Sequence, residues 1–286
     1  MQRIKINAFT LIELLVVIAI IGILSALIVV GMSSTTQKAT IAKAQVFSNS
    51  LRNSLMLNLT SEFHLDGNTT DTWGNITASW SGPLAPNTAI TWITSGCISN
   101  SCLDFDGQDD QVSVVNNAVF NNINFTVEFW IKPDQLRIQG IIYKNAASYW
   151  RFFMANGATG NIEFDGSGEI GNVQSGSIVV GKWYHIVGTY NGDIVKVYDN
   201  GYEHVSASGI GTMNNENAGP VIVAPIAGSR FDGLIDEVRL YNAAMPTSQI
   251  KQNYFAGLNR LLVNNQINDQ EYGERLVELT KNYAKD

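Results

Sequence analysis

Apolar and polar residues are spaced in three different ways along this chain, and each spacing predicts a different structure. Residues Phe9 to Met32 form an apolar run of 24 residues with one charge, Glu13. A helix of this length reaches roughly 36 Å, enough to cross a hydrocarbon core of about 30 Å. The run is longer than the apolar part of a secretory signal peptide, and the small residue Ala8 precedes it. The pattern therefore predicts a transmembrane helix.

A second spacing follows Met32, where the sequence turns polar without a strong helix breaker. Phe47, Leu51, Leu55 and Leu59 recur every four residues, which is typical of one face of an amphipathic helix. We expect the membrane helix to continue as an amphipathic helix to about Leu59. Residues 60–96 are rich in Gly, Asn, Thr and Trp and have no helical period, so we expect a linker with strands that leads into the next domain.

The third spacing, in residues 97–245, is a series of short alternating or apolar runs separated by turn sequences. Asn200-Gly201, between two such runs, predicts a tight β-hairpin. Many short strands without intervening helices favour a two-sheet sandwich or jelly roll.

Residues 246–286 return to a helical pattern. Thr247 is placed to cap a helix from about Ser248, and Asn268 with Glu271 forms a capping box for a last helix to about Tyr283. The predicted fold class is α+β: a long N-terminal transmembrane helix, an all-β jelly-roll sandwich and a C-terminal helical hairpin.

Charge and cysteine content narrow the function classes. Arg3 and Lys5 precede the apolar run, so the positive-inside rule places residues 1–8 in the cytoplasm and the large domain outside. The net charge of −7 argues against nucleic acid as a partner. Cys97 and Cys102 are the only cysteines, and a close pair in an exported chain favours a disulfide over a metal site, because no histidine cluster lies near them.

Glu13 is a carboxylate within the predicted membrane helix. Such a group costs roughly 2.5 to 3.5 kcal/mol on insertion scales, and the helix dipole recovers only about 0.3 to 1 kcal/mol. A partner charge would offset this cost. The alternative is that Glu13 reaches the membrane interface and has no such role.

The sequence from Ala8 to Leu15, AFTLIELL, resembles the cleavage and N-methylation motif of type IV pilins and type II secretion pseudopilins. The resemblance implies that a prepilin peptidase/methyltransferase cuts between Ala8 and Phe9 and methylates Phe9. It also implies that Glu13 pairs with the amine of a neighbouring subunit. The chain would be a single-pass inner-membrane protein that assembles with other pilin-like subunits into an extracellular or periplasmic filament. The family usually has glycine before the cut, where this chain has Ala8.

A second resemblance covers roughly residues 97–262. The sequences LDFDG at Leu103, FTVEFWI at Phe125, WYHIV at Trp183 and FDGLIDEVRLY at Phe231 resemble the laminin-G-like jelly roll of the concanavalin A-like lectin and glucanase superfamily. This resemblance implies a head that recognises a glycan or a cell surface. Related domains often bind calcium through carboxylate and carbonyl oxygens. The candidate ligands are Asp106, Asp109, Asp110, Asp232 and Asp236, although Asp106 and Asp232 precede glycine, which is also the usual pattern of a turn.

The superfamily includes glycosidases, which need two carboxylates flanking a cleft. The nearest candidate sequence runs from Glu163 to Glu169, but Asp165-Gly166-Ser167-Gly168 predicts a turn that carries Glu169 off the strand. We therefore expect a non-enzymatic protein. Trp130, Trp150 and Trp183 lie within strand patterns and are expected in the core. The favoured function is a pilin-like subunit with a recognition head. The alternative is a purely structural coat subunit, and a glycoside hydrolase is the weakest candidate.

Overall fold

The computed structural model describes residues 58–74, 76, 78–80, 91–108, 110–120, 123–144, 150–155, 157, 160–166, 173–207, 221–224 and 229–281. These residues all belong to one compact unit, Arg52–Asp286. The predicted membrane and amphipathic helix, with Ala8, Phe9 and Glu13, lies outside the described residues. No helix within the described ranges has the length and hydrophobicity that crossing a membrane requires.

The described residues form fifteen β-strands and two α-helices. The strands are β1 (Leu59–Phe63), β2 (Ala78–Trp80), β3 (Thr91–Ile93), β4 (Cys102–Asp106), β5 (Val112–Val114), β6 (Phe125–Pro133), β7 (Gln139–Lys144), β8 (Trp150–Met154), β9 (Ile162–Gly166), β10 (Val173–Gln174), β11 (Tyr184–Tyr190), β12 (Val195–Asp199), β13 (Tyr202–Ala207), β14 (Val221–Val223) and β15 (Asp232–Tyr241). The helices are α1 (Thr247–Val263) and α2 (Asp269–Lys281).

The strands form two antiparallel sheets, as predicted for a sandwich. Sheet I has the order β13-β12-β11-β6-β15-β4-β3, and sheet II has the order β10-β9-β8-β7-β14-β5-β2. The long strand β15 pairs with β6 along one side. Along its other side it pairs first with β4, over Asp232 to Ile235, and then with β1, over Val238 to Tyr241.

The start of β1 differs from the sequence expectation. Leu59 completes the period-four apolar series, but it is buried as the first residue of β1, opposite Tyr241 of β15. Leu59 is followed by the half-buried Thr60 and the buried Ser61, a pattern that is compatible with a strand. The four-residue spacing of apolar positions therefore does not decide between helix and strand at Leu59. The sandwich therefore begins in the segment that the sequence marks as a linker.

The core between the sheets is built by the inward residues of each alternating strand. On β8, Trp150, Phe152 and Met154 are buried. The rings of Phe152 and Phe164 stack with centroids 4.4 Å apart, and Phe129 from sheet I meets Phe152 edge-on at 5.0 Å. These contacts position the remaining residues of β8 and β9 on the outer face of sheet II.

The two helices cover the outer face of sheet I. Trp130 of β6 stacks on Tyr254 of α1, with ring centroids 5.8 Å apart. A Cβ at Gly257 would lie 2.1 Å from the Trp130 ring, so only glycine allows this approach. Trp183 and Leu234 join the same apolar layer. The prediction that Trp130, Trp150 and Trp183 belong to the core is confirmed.

The turn and cap predictions have different outcomes. Asn200 and Gly201 both have positive φ, 48° and 77°, which confirms the hairpin between β12 and β13. Asn268 Oδ1 accepts a hydrogen bond from the Glu271 backbone N–H at 2.8 Å, which confirms that cap. The Thr247 cap is wrong: Pro246 occupies the N-cap position, and the Thr247 hydroxyl lies 3.1 Å from the Tyr198 hydroxyl.

Candidate functional site

The outer face of sheet II carries a continuous set of polar and aromatic side chains. Strand pairing places Asp165 of β9 beside Arg151 of β8, and Arg151 beside Tyr143 of β7. In the next position along the strands, Phe153 pairs with Glu163. We call the following set the sheet II face: Ser113, Tyr143, Arg151, Phe153, Glu163, Asp165, Gln174 and Ile222.

Arg151 is the centre of the sheet II face. Its Nε lies 3.0 and 2.9 Å from the two carboxylate oxygens of Asp165, and its Nη2 lies 2.6 Å from Oδ2. The guanidinium carbon also lies 4.7 Å from the centroid of the Phe153 ring, a cation–π contact. Because Arg151 is 47% exposed, it presents a rigid, planar polar surface to solvent.

Glu163 and Asp165 lie on the same face of β9, since the intervening Phe164 points into the core. Arg151 binds Asp165, and the Gln174 side-chain amide donates to Glu163 at 2.8 Å. These contacts occupy oxygens that a general acid or a nucleophile would present to a substrate. Glu169 lies outside the described residues.

Tyr143 adds a hydrogen-bonding group that stays protonated. Burial raises the pKa of the Tyr143 hydroxyl to about 12, against the opposing charge of Arg151. The hydroxyl is therefore a neutral donor and acceptor at any physiological pH. The groups of the sheet II face that reach solvent are the exposed side chains of Arg151 and Gln174 and the half-buried rings of Tyr143 and Phe153, a combination that can bind polyhydroxylated ligands.

The sequence reasoning missed the sheet II face, although the alternation in two strands could have identified its members. In WRFFM, Arg151 and Phe153 alternate with buried residues, and in IEFDG, Glu163 and Asp165 do the same. The sequence does not show which strands are neighbours, because β7, β8 and β9 are placed side by side by their register.

A concave region lies away from this face, between α2 and the β12–β13 turn. It is a cleft of about 1140 Å³ lined by residues that include Tyr184, Tyr202, His204 and Glu271. Its charged groups are largely paired with one another: His204 Nε2 lies 2.6 Å from Asp199, and Arg275 Nη2 lies 2.8 Å from Glu271. Because these charges are already paired, we rank the cleft below the sheet II face as a candidate site.

A cluster of buried charges lies on the opposite side of the sandwich, where β1, β15 and α1 meet. His64 Nδ1 lies 3.2 Å from both carboxylate oxygens of Glu237, and its Nε2 lies 3.3 Å from Glu62 Oε2. Arg239 donates to Glu62 at 2.8 Å and also contacts Glu237, while Arg260 of α1 donates to Glu237 at 2.9 Å. We call these five residues the charge cluster.

The spacing of Glu62, His64 and Glu237 also suits a metal ion, since one donor atom of each lies within 4.8 Å of the others. Hydrogen bonds to Glu237 and Glu62 raise the pKa of His64 to about 9, so its ring is protonated at neutral pH. Burial alone would raise the pKa of Glu237, but Arg239, His64 and Arg260 lower it to about 2. A metal needs a neutral histidine, and two arginines already bind the carboxylates, so the cluster is a network of ion pairs.

Glu128 of β6 extends this network under α1. Its Oε1 lies 3.0 Å from His185 Nε2 and 3.5 Å from Arg239 Nη1, and its Oε2 accepts from Tyr241 at 3.0 Å and Asn253 at 2.8 Å. Burial opposes ionisation, but His185, Arg239 and Asn253 lower the pKa of Glu128 overall. The network thus joins the first strand, two central strands and α1.

The predicted calcium ligands lie in two separate places. Asp106 and Asp232 are directly opposite each other on β4 and β15, and Asp110 Oδ2 accepts from the Asp106 backbone N–H at 3.2 Å. Asp236 is buried elsewhere, where it accepts from the backbone N–H groups of Ile98 and Ser99 at 2.9 and 3.2 Å. Asp109 lies outside the described residues.

The disulfide prediction is confirmed. Cys97 and Cys102 are bonded and buried, with their Cα atoms 5.5 Å apart. The short loop that they close contains the two N–H groups that bind Asp236. The disulfide therefore fixes the loop that covers this buried carboxylate.

The family comparisons agree with both sequence resemblances. A family model described as the concanavalin A-like lectin/glucanases superfamily matches residues 106–251. A second model, the prokaryotic N-terminal methylation motif, matches residues 3–29. The chain therefore carries an N-terminal methylation motif ahead of its sandwich. The search of curated proteins finds no match to this chain.

Solved structures share the fold at low sequence identity. Domain 4 of AbnA, an extracellular arabinanase from Geobacillus stearothermophilus solved with arabinotriose, has a TM-score of 0.58 at 20% identity, over 68% of this chain and 97% of that domain. The binding domain of Paraclostridial Mosquitocidal Protein 1 has a TM-score of 0.57 at 17% identity. The binding domain of botulinum neurotoxin serotype D has a TM-score of 0.55, also at 17% identity.

Both toxin alignments cover 72% of this chain but only 53% of the toxin domains, so this chain spans about half of their length. At these identities the likeness concerns the fold alone. The family model covers more than half of the chain, and its limits enclose most strands of both sheets. This chain belongs to the concanavalin A-like lectin/glucanases superfamily.

Proposed function

We propose that this chain is a pilin-like subunit of a type IV pilus or a type II secretion pseudopilus, and that its sandwich head binds a glycan without cleaving it. The observation that carries the proposal is the combination of an N-terminal methylation motif with a sandwich whose sheet II face is polar and aromatic. In this proposal residues 1–8 are the leader, residues 9 to about 57 the membrane and assembly helix, 97–245 the main part of the head and 246–286 its helical cover.

Maturation after Ala8 is the first step of this proposal. The peptidase removes Arg3 and Lys5 with the leader and exposes the amine of Phe9, which then pairs with Glu13 of a neighbouring subunit. Intact mass of the membrane-extracted chain should begin at Phe9 with one added methyl group. A chain that keeps Met1 in a strain with active peptidase contradicts this step.

The role of Glu13 is tested separately from processing. Glu13→Leu should insert at least as well as the native chain, because it removes a charge from the membrane. It should lose filament yield, because the neighbouring amine has no partner. Native yield of sheared filaments from the Glu13→Leu strain contradicts an assembly role.

The sheet II face favours a neutral, hydroxyl-rich ligand. Two carboxylates and one arginine lie on it, and the arginine is bound to Asp165, so the face has no spare cation for an anionic sugar. The exposed side chains of Arg151 and Gln174 can bond sugar hydroxyls, and the half-buried rings of Phe153 and Tyr143 offer apolar surface to a sugar ring. Arabinotriose, present in the structure of AbnA domain 4, is a suitable first probe among neutral oligosaccharides.

The binding experiment compares two faces of one head. The full chain in detergent is applied to an array of neutral and anionic glycans that includes arabinotriose, beside a hydrolysis assay on the same polysaccharides. Phe153→Ala should lower affinity for the bound glycan about tenfold, because it removes a ring from the sheet II face. Tyr202→Ala, in the cleft beside α2, is the matched control and should bind as the native chain does.

The outcomes of this binding experiment distinguish the candidate sites and functions. Loss of binding in Tyr202→Ala alone moves the site to the cleft. Release of sugar overturns the non-enzymatic assignment. Native protein that binds no glycan supports the alternative, a structural coat subunit without a ligand.

A further inference from the structure

The rim of the sandwich around Asp106 and Asp232 gathers negative charge and carbonyl oxygens. Asp106 of β4 lies directly opposite Asp232 of β15, and the backbone N–H of Asp134 donates to the carbonyl of Asp232 at 3.0 Å, so three aspartates meet at this rim. Calcium in proteins takes 6 to 8 oxygen ligands at about 2.3 to 2.6 Å, from carboxylates, carbonyls and water. A cation would offset the repulsion between these carboxylates, and the superfamily resemblance suggests calcium for this role.

Arg137 already places a cation among these oxygens. Its Nη2 donates to the backbone carbonyl of Gly107 at 3.2 Å and to that of Arg230 at 3.3 Å, and lies 3.8 Å from Asp232 Oδ2. Gly107 has φ +71°, and a Cβ there would lie 2.2 Å from Arg137 Nη2. The loop after β4 is therefore shaped around the guanidinium group.

Arg230 binds a second set of oxygens, two of which belong to the same loop. Its Nη1 donates to the backbone carbonyl of Asp110 at 3.2 Å, to Gln111 Oε1 at 2.9 Å and to the backbone carbonyl of Ala224 at 3.4 Å. Two backbone carbonyls and one amide oxygen are ligands that calcium commonly uses. Here they surround a guanidinium nitrogen at hydrogen-bond distances.

The carboxylates of the rim also have protein partners. Asp106 Oδ1 accepts from the Gln108 backbone N–H at 2.8 Å, which is the local turn of an Asp-Gly sequence. Asp232 Oδ2 accepts from the Gln135 side chain at 2.6 Å. Asp236, the remaining described candidate, is buried away from the rim and binds backbone N–H groups.

We propose that Arg137 and Arg230 replace the calcium ion at this rim, so that Gly107, Asp110 and Gln111 are held by two guanidinium groups and the head keeps its structure without a metal. The two guanidinium groups supply the positive charge that a bound ion would otherwise supply. Recognition by the head is then insensitive to calcium concentration.

The first test uses the native full chain in detergent. The chain is saturated with calcium, desalted and analysed for metal, and its thermal unfolding is followed in calcium and in EDTA. We expect no retained calcium and the same Tm in both solutions. Calcium retained near one ion per chain, or a Tm lowered by EDTA, overturns the proposal.

The second test separates charge from packing at Arg230. Arg230→Met should lower Tm by at least about 4 °C more than Arg230→Lys, because lysine keeps a cation near the same oxygens. Lys196→Met, which removes the half-exposed 3.0 Å ion pair with Glu203, is the control for loss of a surface charge. Equal Tm values for the methionine and lysine variants contradict the proposal. If Arg230→Met does not fold, Arg137→Met and Arg137→Lys give the same comparison.

Discussion

The two outer faces of this sandwich start from the same strand alternation and end with opposite properties. On sheet I, the outward residues Glu128 and Trp130 are buried beneath α1, and Arg239, whose side chain is 12% exposed, pairs with Glu62 and Glu128. On sheet II, the outward residues include Arg151, which is 47% exposed, and no described helix covers it. A C-terminal helical hairpin thus converts one face into a second core and leaves the other available for recognition.

The comparison shows that an ion pair has a different role on each face. The Arg239 pairs are almost dry, and their strength depends on complete mutual satisfaction. The Arg151–Asp165 pair borders solvent, where water weakens it and a ligand can compete for its atoms. We therefore expect substitutions on sheet I to change stability, and substitutions on sheet II to test the proposed glycan binding.

The largest expected effect on stability is the difference between two arginine-to-methionine substitutions, one on each face. Arg239→Met should lower the free energy of unfolding by about 3 to 5 kcal/mol, because the buried carboxylates of Glu62, Glu128 and Glu237 lose the cation that they share. Arg151→Met should lower it by about 1 kcal/mol or less, because solvent reaches Asp165 once the arginine is gone. Urea denaturation of both variants measures the difference. Equal losses would show that the two faces are energetically alike.

A pair of glycine substitutions tests how closely the helical cover packs. Gly257→Ala should destabilise the head by about 1 to 3 kcal/mol, because its Cβ meets the Trp130 ring. Gly273→Ala on α2 has nothing within 4 Å of its Cβ and should stabilise the helix by about 0.5 to 1 kcal/mol. The two changes should move Tm in opposite directions. A shift of the same sign in both contradicts the packing of α1 on Trp130.

The pH dependence of stability tests the charge cluster. The pKa of His64 is raised from 6.5 to about 9 in the folded chain, so its contribution is complete below pH 6.5 and is lost as the pH rises through 9. With allowance for its partial exposure, we expect a loss of about 1 to 2 kcal/mol across this window. His64→Gln should remove that slope, whereas Arg151→Met should keep it. Urea midpoints at pH 6 and pH 9.5 supply the measurement.

The smallest effect concerns the second helix of the cover. Asn268→Ala removes the side-chain acceptor for the Glu271 N–H and should cost about 1 kcal/mol. Asn268→Asp keeps an acceptor and should be close to neutral. If both variants unfold as the native chain does, α2 contributes little to the stability of the sheet I cover.

Features set by neighbouring residues could be predicted from the sequence. The Asn200-Gly201 turn, the Asn268 cap and the buried tryptophans each depend on local residue chemistry and strand alternation. The Thr247 cap failed because a proline immediately before a helix can take the N-cap position, leaving the threonine to bind Tyr198. Local rules thus gave the elements and missed a boundary by one residue.

The charge cluster and the sheet II face depend on pairing between distant strands, so the sequence did not reveal them. Glu62 and Arg239 are 177 positions apart, and their contact follows from the register of β1 on β15. The calcium hypothesis grouped Asp232 with Asp236, but Asp232 lies opposite Asp106 at the rim, whereas Asp236, further along β15, lies opposite Trp130 and binds the backbone of the disulfide loop. Sequence proximity was therefore a poor guide to shared chemistry at this strand.

The pairing of β1 with β15 also determines when the head can fold. Thr60 donates a hydrogen bond to the carbonyl of Leu240, 180 positions later, and closing a loop of that length costs about 4 to 5 kcal/mol from its length dependence. Strand β15 lies between β6 on one side and β4 and β1 on the other. Sheet I therefore lacks this central strand until the chain has been synthesised to residue 241. A chain that emerges N-terminus first must carry β1 unpaired, and the β3–β4 pair apart from β6, through most of its synthesis, with these strand edges open to wrong partners. Slow folding with late closure of sheet I follows directly from this topology.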